Sequence, residues 1–143
     1  MKGDRRYVFL DHTADAEFQA FGGTLEEALV NAALATASLM WDWQAIAGKV
    51  RRRVEVDGGD LPQLLVRYLE EVIYLFSSEG FLLAGVEGLK AAEKGGRWNL
   101  QAVFLGDLSP EKHRLRGEVK AITYNDMKIE RDDGVMLQVV VDI

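Results

Sequence analysis

The sequence predicts an α+β domain in which two long helices pack against a mainly antiparallel or mixed β-sheet. Three observations carry that expectation. Two segments hold apolar residues at the three- and four-residue spacing of a helix, each behind a capping signal. The other readable segments are β-prone and bounded by Gly, Asp or polar turns. The helical segments are separated by a single strand and followed by hairpins, which is not the strand-helix alternation of a doubly wound fold.

Tyr7-Val8-Phe9-Leu10 is short, apolar and β-prone, and Asp11-His12-Thr13-Ala14-Asp15 stops it. Ala16 to Phe21 alternates polar and apolar residues with the two-residue period of a half-buried strand, which Gly22-Gly23 breaks. Thr24-Leu25-Glu26-Glu27 is a capping box, a hydroxyl followed three residues later by Glu, and it starts a helix running to about Met40. The small alanines of that helix imply close approach to another element. Val50 to Val56 alternates again, with Arg52 the one residue out of pattern. Asp57-Gly58-Gly59 turns the chain, and Asp60 caps a second helix with Pro62 in its first turn and Gln63 three residues on. Its stripe from Leu61 through Leu65, Leu69 and Phe76 ends near Ser78 and Gly80. Gly95-Gly96 joins strands at about 81–92 and 97–105; 118–130 reads as one long or bent strand; and Asp132-Asp133-Gly134 leads into a β-prone end, 135–143.

The 143 residues, 48% of them hydrophobic, make a single domain spanning 1–143, long enough to fold without disulfide or structural metal. The absence of Cys excludes thiolate metal sites, dithiol redox chemistry and a thiol nucleophile. Lys and Arg number 17 against 23 Asp and Glu, a net charge of −6 that disfavours sequence-independent binding of nucleic acid and suits a site that attracts cations. No apolar run reaches the roughly 20 residues of a membrane span, and with a polar start, Met1 to Arg6, no signal peptide is expected. The expected location is intracellular and cytoplasmic, with no membrane partner.

Phosphate-binding loops, dinucleotide fingerprints and nucleophile elbows are missing, and only two His are present. A self-sufficient enzyme is therefore not expected. Three features remain. The cluster Asp11-His12-Thr13-Ala14-Asp15 reads either as a polar turn whose side chains satisfy local amides or as a ligand site. At the other end, a strand through Val139-Val140-Val141 would hold Asp142 and the α-carboxylate of Ile143 about one residue rise apart. Two fixed negative groups call for a cation, unless the end simply frays into solvent. Lys120, in Glu118-Val119-Lys120-Ala121-Ile122-Thr123-Tyr124, lies on the side of Ile122 and Tyr124. It either snorkels to the surface or serves as counter-charge to a carboxylate cluster. Arg51-Arg52-Arg53 and the His113, Arg114, Arg116 group read as solvated basic surface rather than an RNA site.

These residues resemble the archease family over essentially the whole chain. The points of likeness are Leu10-Asp11-His12-Thr13-Ala14-Asp15, Gly22 through Ala28, Gly58-Gly59-Asp60-Leu61, Glu118 through Tyr124, and Asp142-Ile143. The resemblance implies an archease-like fold and an accessory role: activation of an RtcB-type RNA ligase in tRNA splicing, by stimulating its GTP-dependent guanylylation and multiple turnover. It implies no catalysis by the chain itself, and contact with tRNA only through the ligase. Asp15, Asp142 and Ile143 match the family's divalent-metal site, usually described with Ca²⁺, with Mg²⁺ or Mn²⁺ as alternatives. Lys120 matches a basic residue required for activation. Asp11 and His12 match the motif without an assigned role, and the oligomeric state is left open. The competing readings are a general chaperone or scaffold and a metal-dependent hydrolase built on Asp11, His12 and Asp15.

Overall fold

The computed structural model describes residues 5–11 and 15–143. Strands β1 (Tyr7–Leu10) and β2 (Ala16–Gly22) pair antiparallel, and helix α1 (Leu25–Ser38) follows directly. Strand β3 (Val50–Gly58) leads in the same way into helix α2 (Leu61–Glu79). Four strands complete the chain: β4 (Leu82–Lys94), β5 (Arg97–Asp107), β6 (Ala121–Glu130) and β7 (Val135–Asp142). They belong to two sheets, ordered β1-β2-β7-β6 and β3-β5-β4, and every pairing is antiparallel. The single, in part mixed sheet expected from the sequence is thereby corrected. Local propensity identifies strands but does not say which of them pair.

Both helix starts use one device. The side chain of Thr24 accepts from the Glu27 amide at 3.2 Å, while Glu27 Oε1 reaches back to the Gly23 amide at 3.2 Å. At α2, Asp60 accepts from the Gln63 amide at 2.8 Å, and Gln63 Oε1 accepts from the Gly59 amide at 2.7 Å. Each reciprocal pair satisfies amides that a helix start leaves unbonded. The glycine one residue earlier makes the turn sterically feasible. A Cβ on Gly58 would stand 2.6 Å from the Leu64 backbone nitrogen, and one on Gly22 would collide with the Ala28 nitrogen.

Helix α1 is buried on nearly every side, with Ala28, Ala32, Ala33, Ala35 and Ala37 all inaccessible to solvent. It touches β2 and β7 of one sheet, β4 of the other, and α2. Only small side chains permit a helix to be approached from several directions at once. Helix α2 is amphipathic: Leu64, Leu65, Tyr68, Leu69 and Val72 are buried, while Arg67, Glu70 and Tyr74 face solvent. One apolar cluster spans both helices and both sheets. Its polar members are bonded. Tyr68 donates to the Leu29 carbonyl at 2.9 Å, and Trp41 Nε1 donates to the Leu83 carbonyl at 2.9 Å. Burial pushes the Tyr68 phenol well above its ordinary pKa, so it remains a donor.

Several boundaries differ from the expected ones. α1 ends at Ser38 rather than Met40 because the Met40 amide bonds the Ala37 carbonyl, a tightened turn that preserves the apolar spacing without the α-helical ladder. β6 begins at Ala121 rather than 118, since the preceding segment is drawn to the end of α1: the Arg116 amide bonds Met40 O at 2.7 Å, and Leu115 bridges Trp41. A register irregularity between Thr123 and Lys128 also breaks β6, so Ile122 is buried but Tyr124 is exposed. Arg52, out of pattern in the sequence, bonds Glu79 at 2.9 Å and lies over the Phe81 ring.

Three substitutions test this packing. Gly58→Ala is expected to cost about 3 kcal/mol in urea unfolding by forcing backbone apart. Gly23→Ala, whose Cβ would meet nothing within 4 Å, should stay within about 0.5 kcal/mol of the parent. Tyr68→Phe should cost about 1 kcal/mol, the net worth of one hydrogen bond, with the fold unchanged by circular dichroism.

Candidate functional site

The last strand is central to its sheet. β7 lies between β2 and β6, and Val135 through Val141 are all buried. On one side the register ends with Ala16 paired to Val141, and Asp15 and Asp142 are the next residues beyond that pair at the same end of the sheet. On the other side Ala121 pairs with Asp142, and the Lys120 amide donates to the Asp142 carbonyl at 2.7 Å. Ile143 follows directly, its side chain 46% exposed. The fold therefore gathers the backbones of Asp15, Lys120, Asp142 and Ile143 at one end of the four-stranded sheet, although Asp15 and Asp142 lie at opposite ends of the sequence.

Two details depart from the sequence expectation. Lys120 precedes β6 instead of standing within a strand, and it does not share a face with Tyr124 across a regular ladder, because the irregularity intervenes. Ile143 lies one residue past the end of β7. Of the early motif, Asp11 is exposed, and His12, Thr13 and Ala14 lie outside the described residues.

Alternation decides which face carries the acids. Phe18 and Ala20 of β2, with Leu137, Val139 and Val141 of β7, belong to the core shared with the helices. Asp15, Glu17 and Gln19 fall on the opposite face, as do Gln138, Val140 and Asp142. That outer face is organised by polar side chains. Gln19 Nε2 donates to Gln138 Oε1 at 2.8 Å, Gln138 Nε2 to the Asp126 carbonyl at 2.8 Å, and Thr123 Oγ1 to the Val140 carbonyl at 2.8 Å. The irregular stretch of β6 thus folds over β7, with Asp126 at a positive φ of 53°.

Glu17 is the residue that sequence reasoning missed. The alternation of β2 makes it a solvent-facing position, yet it is only 6% exposed, and its Oε2 atom is buried without a hydrogen-bond partner among the described residues. The one signal in the sequence was its spacing, two residues from Asp15 and so on the same face.

The donors at this end are all oxygens, which suits a hard divalent cation and not a thiophilic one. The orphaned carboxylate oxygen of Glu17 is the observation that fits a cation to the site. Among the described residues no three His, Asp or Glu side chains already stand together as a ligand cage. Lys120 forms no salt bridge among the described residues, and its side chain is exposed. Among the basic groups singled out in the sequence, Arg51 pairs with Glu87, Arg52 pairs with Glu79, and His113 Nε2 lies 3.6 Å from Asp107 Oδ2. No helix among the described residues is long and apolar enough to cross a membrane.

Comparison with known proteins gives a consistent result. The family model described as the archease protein family (MTH1598/TM1083) matches residues 7–143. The chain is 43% identical to protein archease of Pyrococcus furiosus over 142 residues, covering 97% of this chain and 99% of that one. It is 38% identical to protein archease of Methanosarcina acetivorans, with 97% of each chain covered. The solution structure of Methanobacterium thermoautotrophicum protein 1598 superimposes with a TM-score of 0.82 at 34% identity over 100% of both chains. The crystal structure of an archease from Thermotoga maritima, described as a possible chaperone, shares the fold with a TM-score of 0.58 at 19% identity over 94% of each chain. With its sequence matched from Tyr7 to the last residue and its two-sheet architecture in common with such structures, the chain belongs to the archease family.

Proposed function

We propose that this chain is a cytoplasmic activator of an RtcB-type RNA ligase in tRNA splicing, not itself catalytic, which stimulates GTP-dependent guanylylation and multiple turnover of that ligase. The observation that carries the reading is the juxtaposition of Asp15, Lys120, Asp142 and Ile143 at one end of the sheet. The ligase partner is what the likeness to the archease family implies, and the meeting of these four residues at one end of the sheet supports their acting together.

In this reading Asp15, Asp142 and the α-carboxylate at Ile143 hold a divalent cation, Ca²⁺ first, with Mg²⁺ and Mn²⁺ as alternatives. When bound, such an ion supplies concentrated positive charge and coordination positions that water or a partner's oxygens complete. The protein's own part is positional. Burial of β7 on both faces fixes Asp142, and pairing to β2 fixes Asp15 beside it. Lys120, anchored through its amide to Asp142, keeps an exposed ammonium with three donors for a partner's phosphate or carbonyl oxygens. The tRNA is met only through the ligase, in keeping with the net charge of −6.

A guanylylation assay with purified ligase and GTP, with and without this chain, tests the proposal. Asp15→Ala, Asp142→Ala and Lys120→Ala are each expected to lower the stimulated rate by roughly tenfold or more, with circular dichroism unchanged. Full stimulation by all three folded variants would refute the site and favour a scaffold that holds partners by other surfaces. Metal-dependent turnover by the pure chain would instead favour the hydrolase reading.

A further inference from the structure

One buried group on the outer face of the four-stranded sheet has no explanation in the fold. Glu17 is more than nine-tenths buried, and its Oε2 atom meets neither solvent nor, among the described residues, a hydrogen-bond donor. Its cross-strand neighbours are Leu10 on one side and Val140 on the other, and neither offers a charge or a proton. One row further in, Gln19 Nε2 donates to Gln138 Oε1, and Gln138 Nε2 donates to the Asp126 carbonyl. A buried carboxylate left unpaired is unfavourable, and in native proteins such groups are met by a donor or a cation. Alternation places Glu17 on the face that also carries Val140, its registered partner, and Asp142 two residues beyond Val140, with Asp15 just past the end of the same ladder.

We infer that Glu17 supplies an additional oxygen ligand to the divalent cation at this end of the sheet, so that the site reaches one residue row deeper than the strand ends. The inference rests on the cation reading given above and extends it to a residue outside that set. Same-face rows along a strand are about 6.6 Å apart, twice the residue rise. Oxygen ligands stand about 2.3–2.6 Å from a calcium ion, so carboxylates in adjacent rows reach a shared ion by side-chain rotation alone. A fourth carboxylate raises the negative charge facing the ion, and calcium sites grade their affinity by charge count and rigidity. The outer-face hydrogen bonds supply that rigidity.

Calcium titration by calorimetry, with terbium luminescence as a second readout, tests this on the whole chain. The parent is expected to bind one ion, Asp142→Asn to lose binding, and Glu17→Gln to bind about tenfold more weakly. The calcium-induced rise in melting temperature should shrink in Glu17→Gln, while its melting temperature without calcium should equal or exceed that of the parent. Parent-like affinity in Glu17→Gln alongside loss in Asp142→Asn would overturn the role of Glu17 and leave the cation site standing. Parent-like binding by Asp142→Asn, or none by the parent, would overturn the cation site itself. A melting temperature lowered equally with and without calcium would assign Glu17 to the fold and overturn the inference. Should Glu17→Gln not fold, Glu17→Asp keeps the charge but withdraws the oxygen by one methylene. Weakened calcium binding there supports the role, and unchanged binding overturns it.

Discussion

The acidic end of this molecule depends on one insertion: β7 enters the gap between β2 and β6 and is hydrogen-bonded on both edges. Its residues from Val135 to Val141 are buried on both faces, so the strand is held by apolar contact as well as by its ladders. The side-chain period of a strand is two, and a slip of one residue would turn Val139 and Val141 outward and Asp142 toward the helices. Two side-chain hydrogen bonds oppose such a slip, Gln19 to Gln138 on one edge and Thr123 to the Val140 carbonyl on the other. Asp142 thus owes its position beside Asp15 to bonds made several residues away.

The same economy of local signals governs the helices. Each helix leaves a strand through Gly-Gly followed by a capping side chain, and each cap is answered three residues later by Glu27 or Gln63. At Gly22 and Gly58 the helix backbone comes so near that no Cβ fits. These glycines let a strand pack directly against the helix it precedes. That close approach brings α1 into contact with β2, and the alanines of α1 then let the second sheet approach from another side through β4.

Much of this was legible in the residues, and what was not has a physical explanation. Helix starts were legible because caps are local: Thr24 with Glu27 and Asp60 with Gln63 announce themselves within four residues. The Gly95-Gly96 hairpin was legible for the same reason, and both glycines take positive φ. The end of α1 was misread because Leu39 and Met40 keep helical spacing while their amides bond in a tighter turn. The start of β6 was misread because Leu115 and Arg116 answer to Trp41 and Met40, far away along the chain. The division into two sheets is a matter of partner choice, to which alternation is blind. At the site, the nearness of Asp15 and Asp142 was anticipated from the apolar end and the family likeness. Glu17 was not, since its burial comes from the tertiary structure around a strand that reads as half-exposed.

The central place of β7 also dictates an order of assembly. Residues 50–107 hold β3, α2, β4 and β5 in one continuous stretch, so that sheet can close while the ribosome is still at work. β2 must wait for a partner more than a hundred residues downstream, and the closure of so long a loop carries an entropic penalty. Until then the Phe18 and Ala20 face lacks its neighbour strand, and the edge of β2 is open to strands of other chains. A nascent polypeptide stalled before Val135 would carry a finished half and an adhesive one, which makes complete translation a condition for solubility as well as for the acidic site.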